Sequence, residues 1–525
     1  MIILETRDLK IYVKERLLMD AANLAIQHNE RIGLVGTNGS GKTTLLEILA
    51  GQKQSSEGTV ISNSTRELLP QLKNTNTTKS GGEVTQEYIN QALAKKTDIL
   101  LADEPTTNLD TEHIEKLENQ LLRRQAALVI VSHDRAFLDS LCTTIWEIDD
   151  GILREYKGNY TDYAAQKELE RRQQENAYEN YVKKKQQLEN ALELKEQKAS
   201  RATKVPKNVS SSEAKITGAK PYYANKQKKL RKSAKAIETR LEKLETVEKI
   251  KESPPIKMYL PNEETFQGRI VLRWDDVTGM IEDRTLWKAT NFHIKGGDKI
   301  AILGKNGSGK TTLLKKIVNE DEGITISPAM KIGYFSQNLD VLDLNESILE
   351  NVNSSSNQDE TLIRTVLARL HFFREDVYKK VQVLSGGERV KVAFAKLFVS
   401  DINTLLLDEP TNFLDIEAVE ALEELLLDYV GTILLVTHDR RFIQHIANRV
   451  LTIEHQEIHL FDGTYEEYKN HVPQAEADPL EDELLLLETK ISDTLSRLSI
   501  EPSEELDQEF KELLARKKAL ENGRD

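Results

Sequence analysis

The chain has 525 residues, 39% apolar and 30% charged, with a net charge of −14. At ~150 residues per domain this is material for three or four domains with sizeable cores. No apolar run approaches the ~20 residues that span a bilayer, and Glu5, Arg7, Asp8 and Lys10 stand where a signal peptide needs an apolar stretch, so neither a membrane-embedded nor a secreted chain is expected. The lone Cys142 allows no intrachain disulfide and fits a reducing cytoplasm.

From the N-terminus, an apolar strand ending in R-I-G-L-V leads into G-T-N-G-S-G-K-T-T, residues 36 to 44, and the whole unit returns 268 positions later as K-I-A-I-L-G-K-N-G-S-G-K-T-T. Each copy reads as a phosphate loop that follows a strand and opens a helix. Its members are Gly36, Thr37, Asn38, Gly39, Ser40, Gly41, Lys42, Thr43 and Thr44, and in the second half Gly304, Lys305, Asn306, Gly307, Ser308, Gly309, Lys310, Thr311 and Thr312. Glycines let backbone N–H groups wrap phosphates, the lysines meet the β- and γ-phosphates, and Thr43 and Thr311 are candidate Mg²⁺ ligands.

Next come S-G-G-E at 80 to 83, L-L-A-D-E-P-T-T-N-L-D at 100 to 110 and V-S-H-D-R at 131 to 135, matched by S-G-G-E at 385 to 388, L-L-L-D-E-P-T-N-F-L-D at 405 to 415 and V-T-H-D-R at 436 to 440. The serine-to-aspartate spacing is 23 and the aspartate-to-histidine spacing 30 in both halves. Acids at the end of an apolar strand divide the work: Asp103 and Asp408 support the metal, and Glu104 and Glu409 polarise the attacking water. Gln71 and Gln337 are candidates to sense both Mg²⁺ and γ-phosphate, and His133 and His438 to contact the γ-phosphate. One spacing is not repeated: Gln71 precedes Ser80 by 9 residues, whereas Gln337 precedes Ser385 by 48.

Between the copies, residues 164 to 261 form the expected linker. Tyr178, Tyr181, Leu188 and Leu192, then Leu230, Ile237, Leu241 and Leu244, recur at helical spacing, which predicts two long antiparallel helices with a tip near 205–223 and an end at Pro254-Pro255. Residues 195 to 235 hold 13 Lys and Arg against 2 Glu, a net of +11 that leaves −25 on the rest. Such one-signed charge at a turn suits RNA phosphates better than a solvated coiled coil. Residues 471–525 predict a short helical pair broken near Ile500-Glu-Pro-Ser.

The duplicated motifs resemble the nucleotide-binding domains of the ABC superfamily, whose signature is S-G-G-E. The resemblance implies an α/β fold of two tandem ABC-type ATPase domains, 1–163 and 262–470, joined by the antiparallel helical hairpin, with a helical C-terminal extension. It also implies two ATP sites closed head to tail. Ser385, Gly386 and Gly387 would face the first phosphate loop, and Ser80, Gly81 and Gly82 the second, with Mg²⁺ held at Thr43, Gln71 and Asp103 and at Thr311, Gln337 and Asp408. Lys79 replaces the usual leucine before one signature, and the adenine-stacking Tyr12 aligns with Met280.

Two ABC domains around a charged hairpin resemble the ABC-F class, and L-K-E-Q-K-A-S-R-A-T-K-V-P-K (194 to 207), the tip S-S-S-E-A-K-I-T-G-A-K-P-Y-Y and the tail S-R-L-S-I-E-P-S-E-E-L look like its Vga-type antibiotic-resistance members. That resemblance implies a cytoplasmic monomer that enters the E site of a drug-stalled bacterial 70S ribosome. There the hairpin would meet 23S rRNA and P-site tRNA and displace lincosamides, streptogramin A or pleuromutilins from the peptidyl-transferase centre. A housekeeping ABC-F translation factor and the ATPase subunit of an efflux transporter are the alternatives. Both need the interval after Gln71, which the first half has shortened to residues too few for more than about two helical turns.

Overall fold

The computed structural model describes residues 1–13, 16–21, 23–71, 81–107, 109–201, 219–244, 246–247, 267–281, 284–336, 341–412, 414–471, 487, 491, 494 and 504–521. They fall into two compact units, one made of Met1–Thr161 with Pro254–Asp525, the other of Asp162–Ser253.

In the larger unit each half is built on a parallel sheet with the same strand order. Arg66–Leu69, Ile99–Asp103, Ala127–Val131, Arg31–Gly36 and Thr144–Asp149 lie side by side in the first half, with Ile152–Lys157 antiparallel beyond them. Ile332–Phe335, Thr404–Asp408, Thr432–Val436, Lys299–Leu303, Arg449–Glu454 and the antiparallel Glu457–Phe461 repeat the order in the second. Strands covered on both faces read as unbroken apolar runs, as in Ile99–Ala102 and Leu405–Leu407, all essentially inaccessible. An antiparallel layer flanks each sheet: the strand Ile2–Val13 with its partners joins the first half's sheet, and Ile270–Ile281 with Arg284–Lys295 and Ile324–Ile326 forms a separate three-stranded one.

The halves differ where the spacing differed. After Phe335 the second half builds the helices Ile348–Asn353 and Glu360–Arg369 and two 3₁₀ turns before the helix Gly386–Phe398. Ile348, Val352, Ile363, Val366 and Leu367 are fully buried and share a core with Phe394, Phe398 and Leu425. In the first half the strand Arg66–Leu69 is followed by the helix Gly81–Ala94, and residues 72–80, Ser80 among them, lie outside the described residues.

In the smaller unit the helices Tyr160–Arg201 and Ala219–Glu242 carry the expected stripes. Tyr178, Tyr181, Leu188 and Leu192 are half-buried, as are Leu230, Ile237 and Leu241, while Ala199 and Ala234 are buried. The second helix begins at Ala219, inside the predicted 205–223 tip, because Pro221 falls in its first turn, where a missing N–H costs no hydrogen bond. The rest of that tip and Pro254-Pro255 lie outside the described residues. Toward the C-terminus the helix Glu504–Glu521 follows Ile500 to Ser503, which also lie outside them.

Candidate nucleotide sites

Each candidate site lies at the carboxyl ends of the parallel strands, where open α/β sheets bind ligands. The strand Arg31–Gly36 runs into the loop and the helix Lys42–Leu49, and Lys299–Leu303 into Lys310–Val318. Gly36 and Gly304 have φ of 150° and 152°, and a Cβ there would meet the carbonyl oxygens of Ile148 and Ile453 at 2.7 and 2.8 Å. Only glycine permits this passage of the chain. Lys42 Nζ donates to the Gly36 and Thr37 carbonyls at 2.7 and 3.0 Å, and Lys310 Nζ to those of Gly304 and Lys305 at 2.7 and 3.2 Å, so both ammonium groups lie across their own loops.

The strand-end acids reach the same loops. Thr43 Oγ1 donates to Asp103 Oδ2 at 2.6 Å, and Thr311 Oγ1 to Asp408 Oδ1 at 3.2 Å. Hydroxyl and carboxylate side by side form the all-oxygen donor set that a hard divalent cation prefers. Glu104 and Glu409 follow in a left-handed conformation, φ 51° at both, which is rare for a residue with a side chain. Strained backbone of this kind gathers at functional sites, and here it turns the glutamate into the cavity while its N–H bonds the Val131 or Val436 carbonyl.

The histidines close this arrangement. His133 N donates to Glu104 Oε2 at 3.3 Å, and its Nε2 lies 3.2 Å from Glu104 Oε1 at an angle that leaves that oxygen without a hydrogen bond. His438 Nε2 stands 3.6 Å from Glu409 Oε1. Burial, with Lys42 and Lys310 nearby, lowers His133 to about 4 and His438 to about 3, so both rings are neutral at pH 7. Burial pushes Glu104 and Glu409 up to about 8, with Asp103 and Asp408 adding to it and the lysines opposing. Among the described residues, the buried Ser40 Oγ, Ser308 Oγ, Glu104 Oε1 and His133 Nδ1 make no hydrogen bond. Buried polar atoms left open in this way fit a polyanionic ligand and its water.

Both halves line a single cavity of about 630 Å³, which contains Glu104, His133 and Gln71 on one side and Lys310, Glu409 and His438 on the other. Contacts across it are reciprocal. Asp110 caps the helix Thr111–Arg123 and accepts the Asn306 amide of the opposite loop at 3.0 Å; Asp415 caps Ile416–Asp428 and accepts that of Asn38 at 2.9 Å. Burial would raise Asp110, but the Asn306 and His113 amides hold it down at about 2. Both aspartates ended motifs visible in the sequence, yet nothing in one chain's letters marks the loop they touch.

Other expected residues are placed less completely. Ser385 caps Gly386–Phe398 in a capping box with Glu388, Gly386 and Gly387 open that helix, and Gly81 and Gly82 open the helix Gly81–Ala94; Gln337 lies outside the described residues. Tyr12 is half-buried, and its counterpart Met280 does not line the cavity, whereas the neighbouring Ile281 does. Two differences separate the sites. Tyr334 Oη, where the first half has Leu68, lies 3.4 Å from Asp408 Oδ2, and Lys305, where it has Thr37, pairs with Glu112 across the halves at 2.7 Å.

A family model described as ABC transporter matches residues 19–75 and 287–412, and a second with that description matches 146–258. The chain is 32% identical to the ribosome protection protein VmlR of Bacillus subtilis over 97% of both proteins. It is 34% identical to the erythromycin resistance ATP-binding protein MsrA of Staphylococcus epidermidis over 84% of this chain and 96% of that one, and 36% identical to ABC transporter F family member 5 of Arabidopsis thaliana over 78% and 56%. In fold it is similar to the archaeal ribosome recycling factor aABCE1, solved with the stalk protein aP1, at TM-score 0.59 and 19% identity over 88% of this chain and 91% of that one. Among the described residues no helix is long and apolar enough to cross a membrane. Two ABC ATPase halves with reciprocal loop contacts, in a chain that aligns from end to end with such relatives, place this protein in the ABC-F family of ABC ATPases.

Proposed function

We propose that this protein is a ribosome protection factor: it binds the drug-stalled bacterial ribosome in its ATP-bound state and uses its interdomain helices to free the peptidyl-transferase centre of antibiotic. The end-to-end alignment with VmlR carries this reading. The exposed Lys226, Lys228, Lys229, Arg231, Lys232 and Lys235 on Ala219–Glu242 support it, since a row of cations favours RNA phosphates on an otherwise acidic chain. Entry through the E site, contact with 23S rRNA and P-site tRNA, and action on lincosamides, streptogramin A and pleuromutilins belong to the proposal, as do a cytoplasmic location and work as a monomer.

In the nucleotide cycle, the loop amides of residues 36–44 and 304–312 cradle the phosphates, and Lys42 and Lys310 leave their loop carbonyls to meet them. Ser385 to Gly387 complete the first site and Ser80 to Gly82 the second. Thr43 with Asp103 and Thr311 with Asp408, helped by Gln71 and Gln337, are the residues that would hold Mg²⁺, which neutralises phosphate charge when bound. Once ionised, Glu104 and Glu409 orient the attacking water and take its proton as its oxygen bonds the γ-phosphorus and the bond to ADP breaks. Neutral His133 and His438 donate to the γ-phosphate without competing for that proton. Ile281 offers the second adenine an aliphatic rather than an aromatic face.

Susceptibility of bacteria carrying or lacking the gene tests the biological reading. Raised tolerance to at least one of the three drug classes is expected. Equal susceptibility to all three would favour the housekeeping role.

A further inference from the structure

The loop that carries each cavity histidine continues into an arginine that leaves its own half. Arg135, two residues after His133, puts its two terminal nitrogens each 2.7 Å from an oxygen of Glu423. Arg440, two residues after His438, grips Glu118 with the same two nitrogens. The pairs are equivalent: 305 positions separate Arg135 from Arg440 and Glu118 from Glu423, as they separate Asp103 from Asp408.

Where these glutamates sit gives the pairs their meaning. Glu423 lies on the helix Ile416–Asp428, eight residues after the capping Asp415 that accepts the Asn38 amide. Eight helical residues span ~12 Å. The phosphate loop and the histidine of the first site are therefore fastened to one helix of the opposite half, at its cap and about two turns further on. The second site repeats this on Thr111–Arg123, where Asp110 holds Asn306 and Glu118 holds Arg440.

A guanidinium fork on a carboxylate fixes direction as well as distance, which a lysine ammonium does not. We propose that Arg135 with Glu423 and Arg440 with Glu118 are positioning residues for ATP hydrolysis. Each pair, together with the capping aspartate, sets the separation of histidine and phosphate loop at one site, with the opposite helix as the gauge. The gauge exists only while the halves are together, so their closure and the assembly of the hydrolytic geometry become one event. The first pair is the more secluded, at 3% and 7% side-chain exposure against 12% and 12%.

The proposal rests on the assignment of nucleotide sites above, and its test keeps the two apart. In the full-length protein, kcat and KM for ATP and the melting temperature are compared for Arg135→Met, Glu423→Met and the double variant. Each single change strands a buried charge and lowers the melting temperature; the double removes both charges and recovers part of it, Glu420 and Asp439 still losing their ion-pair contacts with Arg135. If the pair positions the site, kcat of the double stays down by about 10- to 100-fold, as ~1 Å misplacements cost, while KM moves less than threefold. Recovery of kcat along with stability would show a merely structural ion pair and overturn the proposal. Arg135→Lys keeps the charge and loses the fork, so its kcat falls as well, and an unchanged value would also overturn it. Parent turnover that survives Lys42→Ala with Lys310→Ala would instead sink the site assignment.

Discussion

The two halves repeat each other in the main motifs of the candidate sites and in the paired contacts between them, and part company in the interval between glutamine and signature. Loops, strand-end acids, histidines, capping aspartates and the arginine–glutamate pairs recur at matched positions. Between glutamine and signature the second half keeps two helices and two 3₁₀ turns packed into its main core, and the first half has only residues 72–79. The ATPase motifs are thus duplicated, while the interval that builds this subdomain is long in one half only. In transporters of this superfamily that subdomain grips the membrane partner, so its loss from one half weighs against a transporter role.

The strongest way to break the parallel is chemical. Glu104→Gln with Glu409→Gln removes both proton acceptors, and ATP turnover should fall by about 10²- to 10⁴-fold while labelled ATP still binds. Turnover within threefold of the parent would deny the shared role of the two acids.

A packing change separates the halves next. Leu367, fully buried in the subdomain that only the second half has, should cost about 2–5 kcal/mol on Leu367→Ala, read by urea denaturation. A cost below 1 kcal/mol would mean that the subdomain is not integral to that core.

A subtler contrast lies under the phosphate loops. Gly41 and Gly309 share φ near 100°, but a Cβ at Gly41 meets the end of the Leu18 side chain at 2.8 Å, whereas at Gly309 it meets the Trp287 ring at 2.5 Å and Leu286 at 2.9 Å. Both alanine variants carry about 1–3 kcal/mol of backbone strain. Gly309→Ala should be the less stable, since a buried indole yields less readily than a leucine methyl.

The smallest effect is in pH dependence. Folded, nucleotide-free Glu104 and Glu409 keep their protons up to about pH 8, against 4.5 for an ordinary glutamate. The folded chain therefore binds more protons than the unfolded one across that window, and this part of the stability is lost as pH rises through it. The Gln double variant should lose this downward slope in melting temperature between pH 5 and 8. His133 and His438 act oppositely as pH falls below 6.5 but are common to both proteins, so the difference isolates the glutamates.

Much of this was legible in the letters. Repeats in register named the loops, acids and histidines, because backbone wrapping of phosphate demands glycines at fixed spacing and parallel strands demand apolar runs. Helical stripes such as Leu230, Ile237 and Leu241 located the linker helices, though the start at Ala219 was missed because a proline in a first turn reads like a break. The left-handed conformations of Glu104 and Glu409 left no trace, since glutamate carries no signal for positive φ. Arg135 and Arg440 stood in V-S-H-D-R and V-T-H-D-R, but their partners lie 288 and 322 residues away, a pairing that only the fold supplies. Ile281 was hidden by aligning its neighbour Met280 with Tyr12.

ATP-gated engagement of a stalled ribosome is read by cosedimentation. The Glu104→Gln, Glu409→Gln protein is mixed with lincosamide-, streptogramin A- or pleuromutilin-stalled bacterial ribosomes with ATP or ADP. About one protein per ribosome is expected in the pellet with ATP and little with ADP. Equal recovery with both nucleotides, or none with ATP on any of the three stalled complexes, would contradict it.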